Sequence, residues 1–207
     1  MTPSLPGLLR TAAMKVVTTF YRRMFAFVCP LDQPVAEPGS GGPAVVLLDE
    51  AQIAEYCRFR PKQSPELVRR RLAAGHECFL VRQHDELVHA GWVGIGRIFV
   101  SYLNRDLMLG PHQIYSYDVF TRPDRRGQGY APLRFQHMRA RYFERGYRSS
   151  FSLVAVENQA GLTITFKSQG RIVGAYQAVR VGPWQRVWAR PLEDQPLPQL
   201  LPPRGPA

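Results

Sequence analysis

Between Phe120 and Ala131 the chain reads Phe-Thr-Arg-Pro-Asp-Arg-Arg-Gly-Gln-Gly-Tyr-Ala, an order of residue types suited to holding a phosphate or diphosphate. Gln113 to Thr121 is rich in Tyr, Val, Ile and Phe and stops at Arg122-Pro123, which predicts a strand ended by proline. Beyond the glycines, Ala131, Phe135, Met138 and Tyr142 recur at helical spacing. They predict a helix with one apolar face, Arg134, Arg141 and Arg145 pointing elsewhere, and Gly146 as its end. Pro132 is tolerated only in the first turn, so this helix must begin at about Gly129. A strand-to-helix turn so placed presents unpaired backbone N–H groups at the positive end of a helix dipole. Gly127 and Gly129 let an anion approach the backbone with no Cβ in the way, and Arg126 adds charge-assisted hydrogen bonds.

Two other phosphate chemistries are excluded, because the Walker lysine pattern is absent and the glycines lack the Rossmann spacing. No Cys/His pair has zinc-site spacing, and His84 and His89 are expected on the surface of a hairpin, so no metal is expected.

The elements that must position this turn follow from changes of period. Ala44 to Leu48 predicts a strand ending at Asp49, a helix N-cap followed by Ile53, Ala54 and Cys57 at helical spacing. Ser64-Pro65-Glu66 opens a second helix that runs to Gly75. Cys78–Arg82 and Leu87–Ile95 predict a hairpin turned at Gln83-His84-Asp85-Glu86, with Ile98–Leu103 as a continuation. After the basic helix come a strand at Phe151–Val156, a short helix at Gly161–Ser168, and a closing pair, Arg171–Val181 and Trp184–Arg190, turned at Gly182-Pro183. Asn158 stands between that last strand and helix, where its side chain suits an N-cap.

The pattern Arg126-x-x-Gly129-x-Ala131 resembles the Q/R-x-x-G-x-G/A signature of the GCN5-related N-acetyltransferase (GNAT) superfamily, and the resemblance spans roughly residues 44–190. It implies an α/β fold with a mixed, mostly antiparallel central sheet flanked by helices, in which a splayed strand forms an acyl-coenzyme A cleft. The backbone of Arg126, Gly127, Gln128, Gly129, Tyr130 and Ala131 would bind the coenzyme A diphosphate. The strand end at Phe120 and Thr121 would hydrogen-bond the pantetheine arm as an added strand does. Val156-Glu157-Asn158-Gln159-Ala160 resembles the family's late Asn-containing segment, which implies a pantetheine or acceptor-loop contact for Asn158. Family members often place an acid or polar group near Tyr115, Tyr117 and Asp118. Asp118 is therefore the first candidate for general base and Tyr115 the next. Thr165 stands where a tyrosine often protonates the leaving thiolate, Phe166 cannot donate, and the usual Gly-Phe ending is Gly170-Arg171, one residue displaced.

The resemblance implies acyl transfer from acetyl-CoA or another acyl-CoA, as co-substrate, to a small-molecule or peptide amine, directly and within a ternary complex.

Charge is compatible with this. The chain of 207 residues carries 27 Lys/Arg against 16 Asp/Glu, a net +11, which calls for an anionic partner. Residues 122–148 hold eight arginines against Asp124 and Glu144. A solvated basic helix face, or a nucleic-acid or acidic-membrane binder with a degenerate acyl-CoA site, would explain them too, though nucleic acid is not the expected partner.

Three cysteines, Cys29, Cys57 and Cys78, are too few for a disulfide framework and fit a reducing, cytoplasmic setting. Arg10, Lys15, Arg22 and Arg23 interrupt the apolar stretch Leu8–Cys29, which excludes a signal peptide or a span of roughly 20 residues. Residues 1–29 are expected as a basic amphipathic helix. It either packs on its own domain or lies on the inner membrane face, where it could anchor an acyltransferase of a lipid or polysaccharide precursor. A Pro/Gly linker follows at 30–43, the acyltransferase domain at 44–190 and an extended proline-rich tail at 191–207.

Overall fold

Strand β1 (Tyr21–Pro30) opens the described part of the protein, a computed structural model covering residues 21–31, 42–182, 184–192 and 196–203. There follow β2 (Ala44–Leu47), α1 (Ile53–Phe59), α2 (Pro65–Ala73), β3 (Glu77–Gln83), β4 (Glu86–Ile95), β5 (Arg97–Val100), β6 (Arg105–Met108) and β7 (Gln113–Thr121). Then come α3 (Tyr130–Glu144), β8 (Ser149–Ala155), α4 (Gln159–Lys167), β9 (Arg171–Val181), β10 (Trp184–Pro191) and β11 (Gln199–Leu200). The large sheet has the order β10-β9-β1-β8-β7-β4-β3-β2. Every neighbouring pair is antiparallel except β7 with β8. This is the mixed, mostly antiparallel α/β sheet that the resemblance implies.

Local chemistry explains the first helices. Asp49 and Gln52 form a reciprocal capping box around a short 3-10 turn at Glu50–Gln52, which leads into α1. Ser64 accepts from the Leu67 amide at 3.2 Å, with Pro65 first in α2. The β3–β4 hairpin turns at His84 and Asp85, both with positive φ (47° and 63°), the handedness that a two-residue hairpin turn requires.

The large sheet is covered on both faces. On one face, Ile53, Tyr56 and Val68 of α1 and α2 pack with Leu80, Ala90 and Trp92. Beside them a three-stranded sheet, β11-β6-β5, places Ile98, Val100 and Leu107 against Met24, Tyr115, Phe151 and Tyr176. On the other face, Met138 and Tyr142 of α3 pack on Phe79, Val93 and Ile114, and Phe166 of α4 meets Phe27 edge-on at 5.2 Å.

Several expectations are corrected here. Residues 21–29 are not helical: β1 lies between β8 and β9 and pairs antiparallel with both. An apolar run buried on both faces has no strand signature of its own, and the partners that reward extension lie about 120 residues or more away. Burying each large side chain of β1 contributes roughly 1.5–3 kcal/mol, so this strand belongs to the domain, which does not start at Ala44. The rest of the expected helix, residues 1–20, and most of the linker, 32–41, lie outside the described residues.

Ile98–Leu103 does not continue the hairpin but opens the small sheet. The tail is not merely extended. Gln199 and Leu200 pair with Met108 and Leu107, Leu197 and Leu200 pack on the core, and the Tyr176 hydroxyl donates to the Pro198 carbonyl at 2.6 Å. Prolines limit donors, but they leave the carbonyls free to accept. Among the described residues no helix is long and apolar enough to cross a membrane.

Candidate active site

Strands β7 and β8 run parallel and pair only through Gln113–Tyr115 with Ser149–Phe151. Beyond that, β7 remains paired with β4 as far as Thr121, and β8 remains paired with β1 as far as Ala155. Each strand therefore has one satisfied edge and one edge facing a widening gap, where alternate backbone N–H and C=O groups can receive an extended ligand.

The open end of the gap leads to the glycine turn. A 3-10 turn, Pro123–Arg125, follows β7, Gly127 and Gly129 both adopt positive φ (79° and 83°), and α3 starts at Tyr130. A Cβ built on either glycine meets nothing within 4 Å, so the turn is open on that side. Among the described residues the amides of Gly127, Gln128, Gly129, Tyr130 and Ala131 have no backbone acceptor. Gly129, the N-cap, gives α3 no side-chain cap. Arg122 and Arg125 brace the turn against the hairpin by sharing Glu86, and Arg122 also binds Asp124. Arg126 is exposed and has no ion pair among the described residues.

Phe120 and Thr121 engage the protein through their side chains, leaving only backbone for a ligand. The Phe120 ring meets Phe59 edge-on at 5.2 Å and lies under the Arg60 guanidinium at 4.4 Å, and Thr121 Oγ1 pairs with His89 Nδ1 at 2.7 Å. Asn158 is the α4 N-cap and accepts from the Gly161 amide at 3.0 Å.

Gly91 alone stands opposite Asp118 and Val119, so β7 carries a bulge where the register shifts between Ala90 and Trp92. Asp118 has φ 48°, a backbone conformation that costs a non-glycine residue on the order of 1 kcal/mol. Its carboxylate is held by Arg60, and by Arg71 at 2.9 Å. Tyr115 is fully buried, stacks on Tyr117 at 5.4 Å, and its hydroxyl is 3.2 Å from that of Tyr102. Burial raises the pKa of both Tyr115 and Tyr117 above the usual phenol value. The Tyr117 hydroxyl is 2.5 Å from His76 Nδ1. Burial and the charge of Arg71 hold the His76 pKa below the ordinary histidine value.

Residues 45–164 match the Acetyltransferase (GNAT) family. The chain belongs to this family. A solved structure from Novosphingobium aromaticivorans, described as a GNAT-family acetyltransferase, superposes with a TM-score of 0.54 at 17% identity, covering 77% of this chain and 63% of that one. A GCN5-related N-acetyltransferase from Sphaerobacter thermophilus gives 0.51 at 17% identity over 89% of this chain and 58% of its own. A Drosophila protein gives 0.52 at 10% identity over 91% and 58%. The chain thus spans about three-fifths of the length of these structures, and at such identities the likeness is one of fold. No protein of curated function matches the chain.

The glycine turn, the open edge of β7 and Asn158 lie on elements that the sequence outlines. Arg60, Arg71, His76 and Tyr102 were not foreseen. They come from separate elements, and only the burial of Asp118 and the tyrosine stack gathers them.

Two further expectations are corrected on the α3 side. Arg134 does not point away from the apolar face: it is 4% exposed, has no carboxylate partner among the described residues, and lies under Gly91, where an added Cβ would meet its Nε at 2.9 Å. Its spacing of four from both Tyr130 and Met138 was the available signal. Burial pushes its pKa down to about 10. His89 is buried, not on the hairpin surface. Burial first and Arg134 second push its pKa down to about 3.

Two carboxylates from outside the basic stretch pair with four of its eight arginines. Glu77 binds Arg141 at 2.8 Å and Arg145 at 3.1 Å, and Glu86 binds Arg122 and Arg125.

Proposed function

We propose that the protein transfers an acyl group, acetyl in the first instance, from coenzyme A to an amine by direct attack in a ternary complex. One observation carries the reading: two parted strand edges run into a glycine turn whose five consecutive amides have no backbone acceptor among the described residues. The backbone of Gly127 to Ala131 receives the diphosphate, and Arg126 supplies charge to it. The open edge of β7 at Phe120 and Thr121 receives pantetheine, with Asn158 fixing the helix that borders the far side.

The bulge at Asp118 and Val119 leaves backbone unpaired beside the gap, and an amide there polarises the thioester carbonyl. The amine nitrogen then attacks the carbonyl carbon, and the C–S bond breaks to release coenzyme A thiolate. Asp118 positions Arg60 and Arg71, and both of its carboxylate oxygens are engaged by them. The amine proton passes to Tyr117 as Tyr117 gives its own to His76, which is held neutral at neutral pH. Buried Tyr115 keeps Tyr117 and Tyr102 in place. Thr165 donates to the Gly161 carbonyl at 2.8 Å and is committed to its helix, so solvent protonates the thiolate.

The test is thiol release from acetyl-CoA in the presence of an amine library, with mass analysis of products. Amine-dependent release with an N-acetyl product is expected. Hydrolysis alone, or no saturable use of any acyl-CoA, contradicts the proposal.

A further inference from the structure

Two of the cavities formed by the described residues border the large sheet. The larger, of about 740 Å³, lies at its closed end beside Gln113 and Ser149, where β7 and β8 are still paired, and so cannot serve the gap. The smaller, of about 430 Å³, is lined by Arg22, Ser101, Tyr102, Asn104, Arg180 and Gln185 among others, with no acidic residue among the described residues of its wall. Arg22 is the second residue of β1 and Arg180 nears the end of β9, two strands that pair directly at this end of the sheet. Among the described residues their guanidinium groups bind no carboxylate, and Arg180 Nε donates to the Gly182 carbonyl at 3.3 Å.

This pocket is joined to the splayed strand. Tyr102 forms part of its wall, and its hydroxyl stands 3.2 Å from that of Tyr115, the residue at which β7 and β8 part. Tyr102 also lies within electrostatic reach of both Arg22 and Asp118. The cofactor turn begins α3, on the opposite face of the sheet from α1, α2 and the small sheet. An acyl-CoA entering from the turn therefore leaves the Tyr102 side for the second substrate. Four arginines, Arg22, Arg60, Arg71 and Arg180, stand around that side, and Asp118 sets one negative charge against two of them.

We propose that the acceptor is an amine that also bears an anionic group, a carboxylate in the simplest case. The anion docks on Arg22 and Arg180 while the amine reaches past Tyr102 to the gap. This rests on the acyltransferase reading and adds the acceptor's charge class to it. Two guanidinium groups without carboxylates suit an oxyanion through charge-assisted hydrogen bonds. The wall also repels a polyamine whose second group is cationic.

The test uses matched pairs, each an α-amino acid and the amine that lacks its carboxylate, such as lysine with cadaverine and phenylalanine with phenethylamine. Thiol release from acetyl-CoA is measured on the full chain and on the Arg22→Gln/Arg180→Gln double variant. Carboxylated members are expected to win by tenfold or more in kcat/KM, on the order expected for charge-assisted hydrogen bonds. The double variant should lose that preference while keeping its acetyl-CoA affinity.

Equal or better use of the decarboxylated amines, or a preference that survives in the double variant, overturns the proposal while leaving the acyltransferase reading intact. If nothing turns over, binding of the same pairs is read by ligand-detected NMR. Binding by carboxylated members alone, lost in the double variant, supports the proposal; no such binding refutes it. Calorimetry with acetyl-CoA judges the acyltransferase reading separately.

Discussion

His76 Nδ1 lies 2.5 Å from the Tyr117 hydroxyl, on the strand that borders the gap. Because burial and Arg71 lower the His76 pKa, its neutral, proton-accepting form persists below the pH at which an ordinary histidine would charge. The rate should fall only as pH drops through that lowered value. His76→Gln is expected to remove this acid limb and to lower kcat/KM by roughly 10²–10⁴. A pH–rate profile of the variant that keeps the limb would exclude His76 as the base.

Asp118 separates two roles. Asp118→Asn leaves Arg60 and Arg71 partly buried without their counter-charge and should cost on the order of 2–3 kcal/mol of stability. If Asp118 only positions these arginines, the pH dependence of kcat stays as in the wild type. Loss of a kcat limb would instead restore Asp118 as the base.

A buried neutral histidine makes stability depend on pH. His89 titrates at about 3 in the folded protein against 6.5 for the unperturbed group. Below 6.5 the unfolded chain therefore binds a proton that the folded chain refuses. This contribution is complete above 6.5 and drains as pH falls toward 3, at up to about 1.4 kcal/mol per unit. Denaturant titrations of wild type and His89→Gln across that window should diverge, with the wild type more acid-sensitive; parallel curves would contradict the burial argument.

How much of this was legible depends on how local each cause is. The strand at Gln113–Thr121, the caps at Asp49 and Ser64 and the positive-φ glycines are set by residues within a turn of one another, and the sequence outlines them closely. β1 was misread because its pattern is ambiguous until β8 and β9 close around it from far along the chain. The bulge at Asp118 left a trace. Tyr115 and Tyr117 keep alternation, Phe120 breaks it, and all three reach the α1 and Tyr102 side. The paired roles of Arg60, Arg71 and His76 left none, because three-dimensional packing alone brings them to β7.

Arg134 offers a check on the core that does not involve catalysis. A buried guanidinium without a carboxylate partner among the described residues costs desolvation that its contacts with Ser116 Oγ at 3.4 Å and Met138 Sδ at 3.7 Å repay poorly. Arg134→Met should melt at the same temperature or a few degrees higher. A fall of several degrees would mean that Arg134 holds α3 to the sheet by bonds that these contacts understate.

The central claim is that the bare amides of the glycine turn hold the coenzyme A diphosphate, and calorimetric titration of acetyl-CoA into the wild type and Gly129→Leu tests it most directly. Leucine at φ 83° should cost about 1–2 kcal/mol of stability, and circular dichroism will confirm that the variant remains folded. The wild type should show one saturable site, and Gly129→Leu should bind at least tenfold more weakly. Equal affinity in the two folded proteins would contradict the account.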